Sequence, residues 1–310
     1  MQMKISDIDG ILVGHSTHPT EATGCTVVLC PNGATAGVDV RGSAPGTRET
    51  DLLRPTFMVR EIHGLVLTGG SAFGLRTADG VMRYLYEKGI GYAAGTAIVP
   101  IVPAAVIFDL TRERSVHIPT VDMGYQAAQH AQTDFEEGRV GAGRGATVGK
   151  ILGMEYAMYG GLASDGIELY NGVRVAALVV VNALGDIVNP KTGAIIAGAL
   201  NPSGEGFLDT VAYMKRGEFS APIRGTNTTL AVVATNAWLD KEMITKVAQM
   251  AQNGIARAIR PAHTMYDGDI VFALSVGNRK ADVNVVGEAA AEVVSQAIVR
   301  AVELGNDLKI

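Results

Sequence analysis

The sequence predicts a layered α/β protein with two central sheets and helices on the outside, and three observations predict it. Apolar runs such as residues 173–184, 187–200 and 228–235 are continuous rather than alternating, as in strands buried on both faces. Residues 64–68 form a short apolar strand that runs through Gly69-Gly70-Ser71 into helical spacing at Leu75, Val81, Met82 and Leu85. From residue 228 to the end the order is strand, helix, strand, helix. Strands of this kind must be covered by helices or by each other.

The elements follow in order. Val27-Val28-Leu29 is a short strand between Cys25 and Cys30. An odd separation of five points the two thiols to opposite faces, so they are buried free cysteines of a reducing compartment, not a disulfide. Residues 98–110 are extended and punctuated by prolines. Residues 121–137 read as a helix stopped by Gly138, and a glycine-rich loop, 141–145, follows. Gly185-Asp186 reads as a hairpin turn joining two antiparallel strands. Residues 204–225 are rich in Gly, Pro, Ser and charge and are read as an exposed segment where the chain is open to cutting. The helix 240–258 carries Met243, Val247, Met250 and Ile255 on one side. Strand 270–276 and helix 288–304 complete the chain.

Composition excludes several classes. With 47% hydrophobic, 18% charged and 5% aromatic residues, the chain folds around an aliphatic core and is not disordered. A net charge of −5 lacks the footprint of a nucleic-acid or anionic-membrane binder. No apolar run reaches the ~18 residues of a membrane span, and the charged N-terminal stretch does not resemble an export signal. The expectation is a single-domain cytoplasmic protein with no nucleic-acid or membrane partner.

Familiar motifs fail on spacing. Gly149-Lys150 is followed by Ile151 where a phosphate loop needs a hydroxyl, and Arg144 stands where its first glycine belongs. Gly141, Gly143 and Gly145 do not continue into a dinucleotide turn, because residue 146 is Ala. Gly69-Gly70-Ser71-Ala72-Phe73 lacks the closing glycine of a nucleophile elbow, leaving Ser71 a turn residue. His15 and His18 lie three apart, while His63, His117, His130 and His263 stand alone, so no metal set is assembled. No cofactor and no metal are expected.

What remains is Gly225-Thr226-Asn227-Thr228-Thr229, a small polar approach to a buried strand. A hydroxyl nucleophile without a histidine can use its own α-amine as base if it is the first residue of a chain. Cleavage before Thr228 would create that residue. The same residues also read simply as a turn entering a strand. Asp267 and Asp269, at i and i+2, point the same way if extended and then need a cation such as Lys150 nearby; they also read as a solvated Asp-Gly turn. Asn182 ends a valine-rich strand and must find partners, of which an oxyanion is one.

Four segments carry a resemblance: Thr23-Gly-Cys-Thr-Val-Val-Leu29; Val38-Asp-Val-Arg-Gly-Ser-Ala-Pro-Gly-Thr-Arg-Glu-Thr-Asp-Leu-Leu53; Leu67-Thr-Gly-Gly-Ser-Ala-Phe-Gly-Leu75 with Ala78-Asp-Gly-Val-Met82; and Ile101-Val-Pro-Ala-Ala-Val-Ile-Phe-Asp109. Over roughly residues 5–300 the chain resembles the P1 peptidase family of L-aminopeptidase/D-esterases, β-aminopeptidases and 6-aminohexanoate (nylon) oligomer hydrolases. The resemblance implies a four-layer αββα sandwich of the N-terminal-nucleophile type, like ornithine acetyltransferase. It further implies autocleavage between Asn227 and Thr228 into fragments 1–227 and 228–310. The implied catalytic set is Thr228, Asp267, Asp269, Asn182 and Lys150. Asn-Thr at the cut and the pair Asp267/Asp269 resemble the nylon-oligomer branch, whereas aminopeptidases typically have Gly-Ser there and β-aminopeptidases a serine and a glutamate for the acidic pair. Asn236 departs from the family's usual Asp. The implied function is amide hydrolysis of short oligoamides or peptides through an acyl-enzyme, in a homo-oligomer, a tetramer of cleaved protomers. An aminopeptidase or β-aminopeptidase, an acyltransferase, and a non-enzymatic binding protein with an uncut chain are the alternatives.

Overall fold

A computed structural model describes residues 2–110, 117–217 and 226–308. Its centre is one hydrogen-bonded sheet of nine strands: β1 (Leu12–Thr17), β2 (Gly24–Val40), β3 (Thr47–Arg48), β4 (Glu61–Thr68), β5 (Ala104–Val106), β6 (Gly161–Glu168), β7 (Arg174–Asn182), β8 (Thr228–Ala237) and β9 (Ile270–Arg279). The order is β6-β7-β8-β9-β2-β4-β5-β3, with β1 beside β2. Five helices accompany it: α1 (Thr77–Glu87), α2 (Val121–Gln129), α3 (Thr210–Lys215), α4 (Lys241–Ala258) and α5 (Val283–Gly305).

The expected pair of central sheets is a single sheet that β2 carries from one layer into the other. β2 runs 17 residues, far beyond the short strand predicted around Val28. Its first half pairs with β1 and β4; beyond a register shift between Leu29 and Ala34, Ala34 and Thr35 still pair with β4 and residues 35–40 pair with β9. Pro31-Asn32-Gly33 falls at that shift and bends the strand instead of ending it. The two halves of the sheet then share one apolar interior. Val28, Leu65, Leu67, Ala105 and Ile107 meet Leu178, Val180, Leu230, Val232 and Phe272 there.

The outer faces are covered by helices, as continuous apolar strands require. Val175, Val179, Val233 and Val271 pack against α4 and α5 through Ile244, Val247, Ile255, Val293, Val294 and Ile298. Cys25, Val27, Leu29 and Val66 pack against Val81, Leu85, Met123 and Ala127 of α1 and α2. Cys25 and Cys30 are both free and lie in different clusters on opposite faces of β2. Met243, expected on the buried side of α4, is 39% exposed; Ile244 takes that side instead.

Two local readings are corrected. The helix predicted over 121–137 ends at Gln129 because Gln132 exchanges backbone hydrogen bonds with Val13, extending the edge beside β1, and Phe135 turns into the core. The strands flanking Gly185-Asp186 do not pair, since β6 and β8 already occupy both edges of β7. Asp186–Val188 pairs instead with Ile195–Ala197 and Ile259–Arg260 in a separate small sheet. Of the segment predicted to be exposed, 204–217 contains the short helix α3, and 218–225 lies outside the described residues.

Candidate active site

The sheet register assembles the candidate residues at one end of β7, β8 and β9. β7 runs antiparallel to β8 with Asn182 opposite Thr228. β9 runs parallel to β8 from Leu230 opposite Ile270, and one further bridge places Asn227 beside Asp267. The Asn227–Thr228 peptide therefore lies between Asn182 on one side and Asp267-Gly268-Asp269 on the other. Asn182, Asn227, Thr228, Asp267 and Asp269 are each at most 5% exposed, and Gly268 is buried among them.

Lys150 reaches the same place from the loop after Thr147–Val148. Its backbone is tied to this end of the sheet by Gly149 N–H to the Gly185 carbonyl and Lys150 N–H to the Leu184 carbonyl. Gly149 has φ +71°, and a Cβ there would fall 2.0 Å from Ala199 N, so only glycine fits. The Lys150 ammonium donates to the Asn182 carbonyl at 2.9 Å, Asn182 Oδ1 at 2.9 Å and the Thr226 carbonyl at 3.2 Å. Burial lowers its pKa to about 7 against the opposing charges of Asp267 and Asp109. Asn182 Nδ2 donates to the Phe108 and Thr226 carbonyls, both at 3.2 Å. Its Oδ1 also accepts from Thr147 N–H at 3.1 Å.

The two aspartates are not a solvated turn. Asp267 Oδ2 accepts from Thr264 N–H at 3.0 Å and the Thr264 hydroxyl, while Oδ1 accepts a long 3.4 Å bond from Leu184 N–H. Burial, then the charge of Asp269, raises the pKa of Asp267 to about 6. Asp269 Oδ1 accepts from Thr229 N–H at 2.7 Å, and Oδ2 accepts from both His263 N–H at 3.0 Å and His263 Nδ1 at 2.9 Å. Asp269 thus holds the backbone next to Thr228, while Asp267 ties Thr264 to Leu184. The Thr228 hydroxyl itself donates to the Asn227 carbonyl at 2.6 Å.

Three further features escape sequence reasoning. Asp109 enters this neighbourhood beside Lys150; its Oδ1 accepts from Gly70 N–H at 2.7 Å, and the Thr23 hydroxyl lies close to its carboxylate. Burial raises its pKa to about 6, offset by that Gly70 bond. An acid closing the apolar run 101–108 was the available signal. His263, read as solitary, is bound to Asp269 and has φ +56°. Gly268 contributes only backbone, which composition and spacing do not reveal. Among the described residues, no group of three or more His, Cys, Asp or Glu is placed to hold a metal ion.

Comparison with known proteins matches residues 3–309 to the model of peptidase family S58. The chain belongs to peptidase family S58. It is by that membership an amide-bond hydrolase. An uncharacterized aminopeptidase of Mycobacterium tuberculosis (strain ATCC 25618 / H37Rv) is 44% identical over 289 residues, covering 88% of this chain and 81% of the relative. A 6-aminohexanoate-oligomer endohydrolase of Paenarthrobacter ureafaciens is 28% identical over 313 residues, covering 95% and 84%. The expected closeness to the nylon-oligomer branch is therefore corrected: identity is higher to the mycobacterial aminopeptidases. In fold, the chain is similar to a Burkholderia sp. beta-aminopeptidase, with a TM-score of 0.70 at 22% identity over 97% of this chain and 88% of the other. It is also similar to the L-aminopeptidase D-Ala-esterase/amidase of Ochrobactrum anthropi, described as a variant of the Ntn hydrolase fold, with a TM-score of 0.67 at 16% identity over 96% and 85%. The fold is accordingly Ntn-hydrolase-like. Among the described residues, no helix is long and apolar enough to cross a membrane.

Proposed function

We propose that this amide hydrolase processes itself between Asn227 and Thr228, and that Thr228 then serves as the nucleophile on short peptides or oligoamides. The observation that carries the reading is the Thr228 hydroxyl, 2.6 Å from the oxygen of the carbonyl it would attack. In the cut form the new Thr228 α-amine, with a reference pKa near ~8, is the base for the same hydroxyl. Departure of the Thr226-Asn227 strand end frees Lys150 and Asn182, which hold the Thr226 carbonyl in the uncut chain. Asn182 Nδ2 then donates to the oxyanion of the substrate, a contribution of ~3 kcal/mol. Asp269 fixes Thr229 and so the position of Thr228. Water releases the acyl-enzyme.

The higher identity to proteins named aminopeptidases favours substrates with a free terminal amine over internal cleavage of 6-aminohexanoate oligomers. Fragments 1–227 and 228–310 both contribute to the sheet and to the site, and we expect the cut protomers to form a homo-oligomer. Mass spectrometry and N-terminal sequencing of the purified protein test the reading. A second N-terminus beginning Thr228-Thr229-Leu230 is expected, and Thr228→Ala is expected to remain one chain without amidase activity. A fully active preparation of uncut chain would refute it.

A further inference from the structure

Resting on the self-processing reading, we infer that the two reactions of Thr228 use different oxyanion donors: the backbone N–H of Gly268 serves the chain's own cleavage, and Asn182 serves only the later hydrolysis of substrate. Gly268 N–H donates to the Asn227 carbonyl at 2.8 Å, on the same oxygen that accepts the Thr228 hydroxyl. Asn182 and Lys150, the conspicuous polar pair, are instead engaged one residue earlier, on the Thr226 carbonyl. In the uncut chain neither side chain has a hydrogen bond to the carbonyl that is to be broken.

The Gly268 donor is held in place before any reaction. The Asp267 carbonyl accepts from Ala44 N–H at 2.9 Å, and the Asp269 carbonyl accepts from Arg41 and Gly42 N–H at 3.0 and 3.1 Å. Asp267 C=O and Gly268 N–H belong to one planar peptide, so Ala44 fixes that peptide with its N–H aimed at residue 227, and the Asp269 carbonyl beyond it is fixed as well. Asn227 is gripped by the same loop through its Nδ2 to the Tyr266 carbonyl at 3.2 Å. A Cβ on residue 268 would lie 2.7 Å from both Thr228 Oγ and the Ala44 carbonyl oxygen, so this donor approaches as closely as it does because it is glycine.

The step balances as follows. Thr228 Oγ bonds to the Asn227 carbonyl carbon, and the carbonyl oxygen takes the negative charge under Gly268 N–H. Collapse breaks the Asn227–Thr228 C–N bond, the hydroxyl proton ends on the departing nitrogen, and an ester with a free α-amine results. Water cleaves the ester to the Asn227 carboxylate and the Thr228 hydroxyl. A fixed donor at the developing oxyanion is worth about 10²–10³ in rate.

Two variants separate this from an ordinary bond of the β8–β9 ladder. Semisynthetic replacement of the Gly268 N–H by an ester oxygen is expected to slow self-cleavage by about 10²–10³-fold. Asn182→Ala is expected to slow self-cleavage less than about tenfold while lowering amide hydrolysis by the cut form about 10²–10³-fold. Cleavage is followed by mass spectrometry from a denatured and rapidly refolded chain, with circular dichroism confirming refolding. Parental cleavage in the ester variant, or equal loss of both rates in folded Asn182→Ala, overturns the inference. A parental chain that never cuts overturns the reading beneath it instead.

Discussion

Asp269→Asn tests how the acidic pair supports the backbone next to the proposed nucleophile, Thr228. Asp269 serves three donors with two oxygens: Thr229 N–H on Oδ1, and His263 N–H and Nδ1 on Oδ2. Asparagine has the same shape but only one accepting oxygen. If that oxygen faces Thr229, the amide NH2 meets the His263 N–H; if it faces His263, the NH2 meets the Thr229 N–H. The His263 ring can change tautomer, but a backbone donor cannot, so one buried N–H loses its partner in either orientation. Such a loss costs about 1–3 kcal/mol. Relief of repulsion on Asp267, whose pKa Asp269 helps to raise, offsets part of it. The net expectation is a destabilisation of about 2 kcal/mol, measured by urea unfolding in a Thr228→Ala background so that one unbroken chain is compared throughout. Asp267→Asn is not the matched control, because the Asp267 charge also supports the buried Lys150 ammonium. An Asp269→Asn chain within about 0.5 kcal/mol of its parent would refute the dependence of these three donors on a carboxylate.

Two other outcomes are expected. Lys241 donates to the Leu52, Phe57 and Val59 carbonyls at 2.9, 3.0 and 2.9 Å, pinning the loop between β3 and β4 to the start of α4; Lys241→Met should cost about 1.5–3 kcal/mol and speed limited proteolysis within residues 54–60. His15 is half-buried, bonded to Thr26 Oγ and the Glu136 carbonyl, and partial burial lowers its pKa to about 4. Its folded pKa lies below the unfolded 6.5, so its stabilisation is full above pH 6.5 and is lost as pH falls toward 4, by up to about 3 kcal/mol. Denaturation between pH 4 and 8 should show that slope, and His15→Gln should flatten it.

Where the chain's local pattern and its tertiary partners agree, the sequence reads correctly. The strands from Thr228 and Ile270 are of this kind because burial on both faces leaves a continuous apolar run, and the helix capped by Asp240 because its apolar residues recur on one side. Pairing across long separations is what the pattern hides. Nothing near Gln129 announces that Val13 will draw Gln132 out of a helix, and nothing near Gly185 announces that β6 and β8 have taken both edges of β7. The Asp267-Gly268-Asp269 stretch looks like a solvated turn for the same reason. Its burial depends on backbone donors from residues 41–44, more than two hundred positions away. Within the candidate set, side chains with charge or amide groups could be singled out by type. Gly268 could not, since its contribution is an N–H that every residue but proline also has, distinguished only by where the loop aims it.

The division of the site between the two halves of the chain follows from the sheet order. β8, which begins with Thr228, lies between β7, which precedes the proposed cut, and β9, which follows it. Lys150 and Asn182 come from the first 227 residues, and Thr228, Asp267 and Asp269 from the remainder. Neither piece carries the constellation alone. A cut at the very start of β8 breaks no rung from Thr228↔Asn182 onward, because those rungs join strands rather than neighbours along the chain. The shared apolar interior, with Leu178 and Val180 of one piece against Leu230, Val232 and Phe272 of the other, keeps both edges of β8 occupied after cleavage. A new α-amine can therefore appear at residue 228 while the hydroxyl beside it stays where the uncut chain had placed it. That is the geometric condition for one threonine to serve first its own chain and then a substrate.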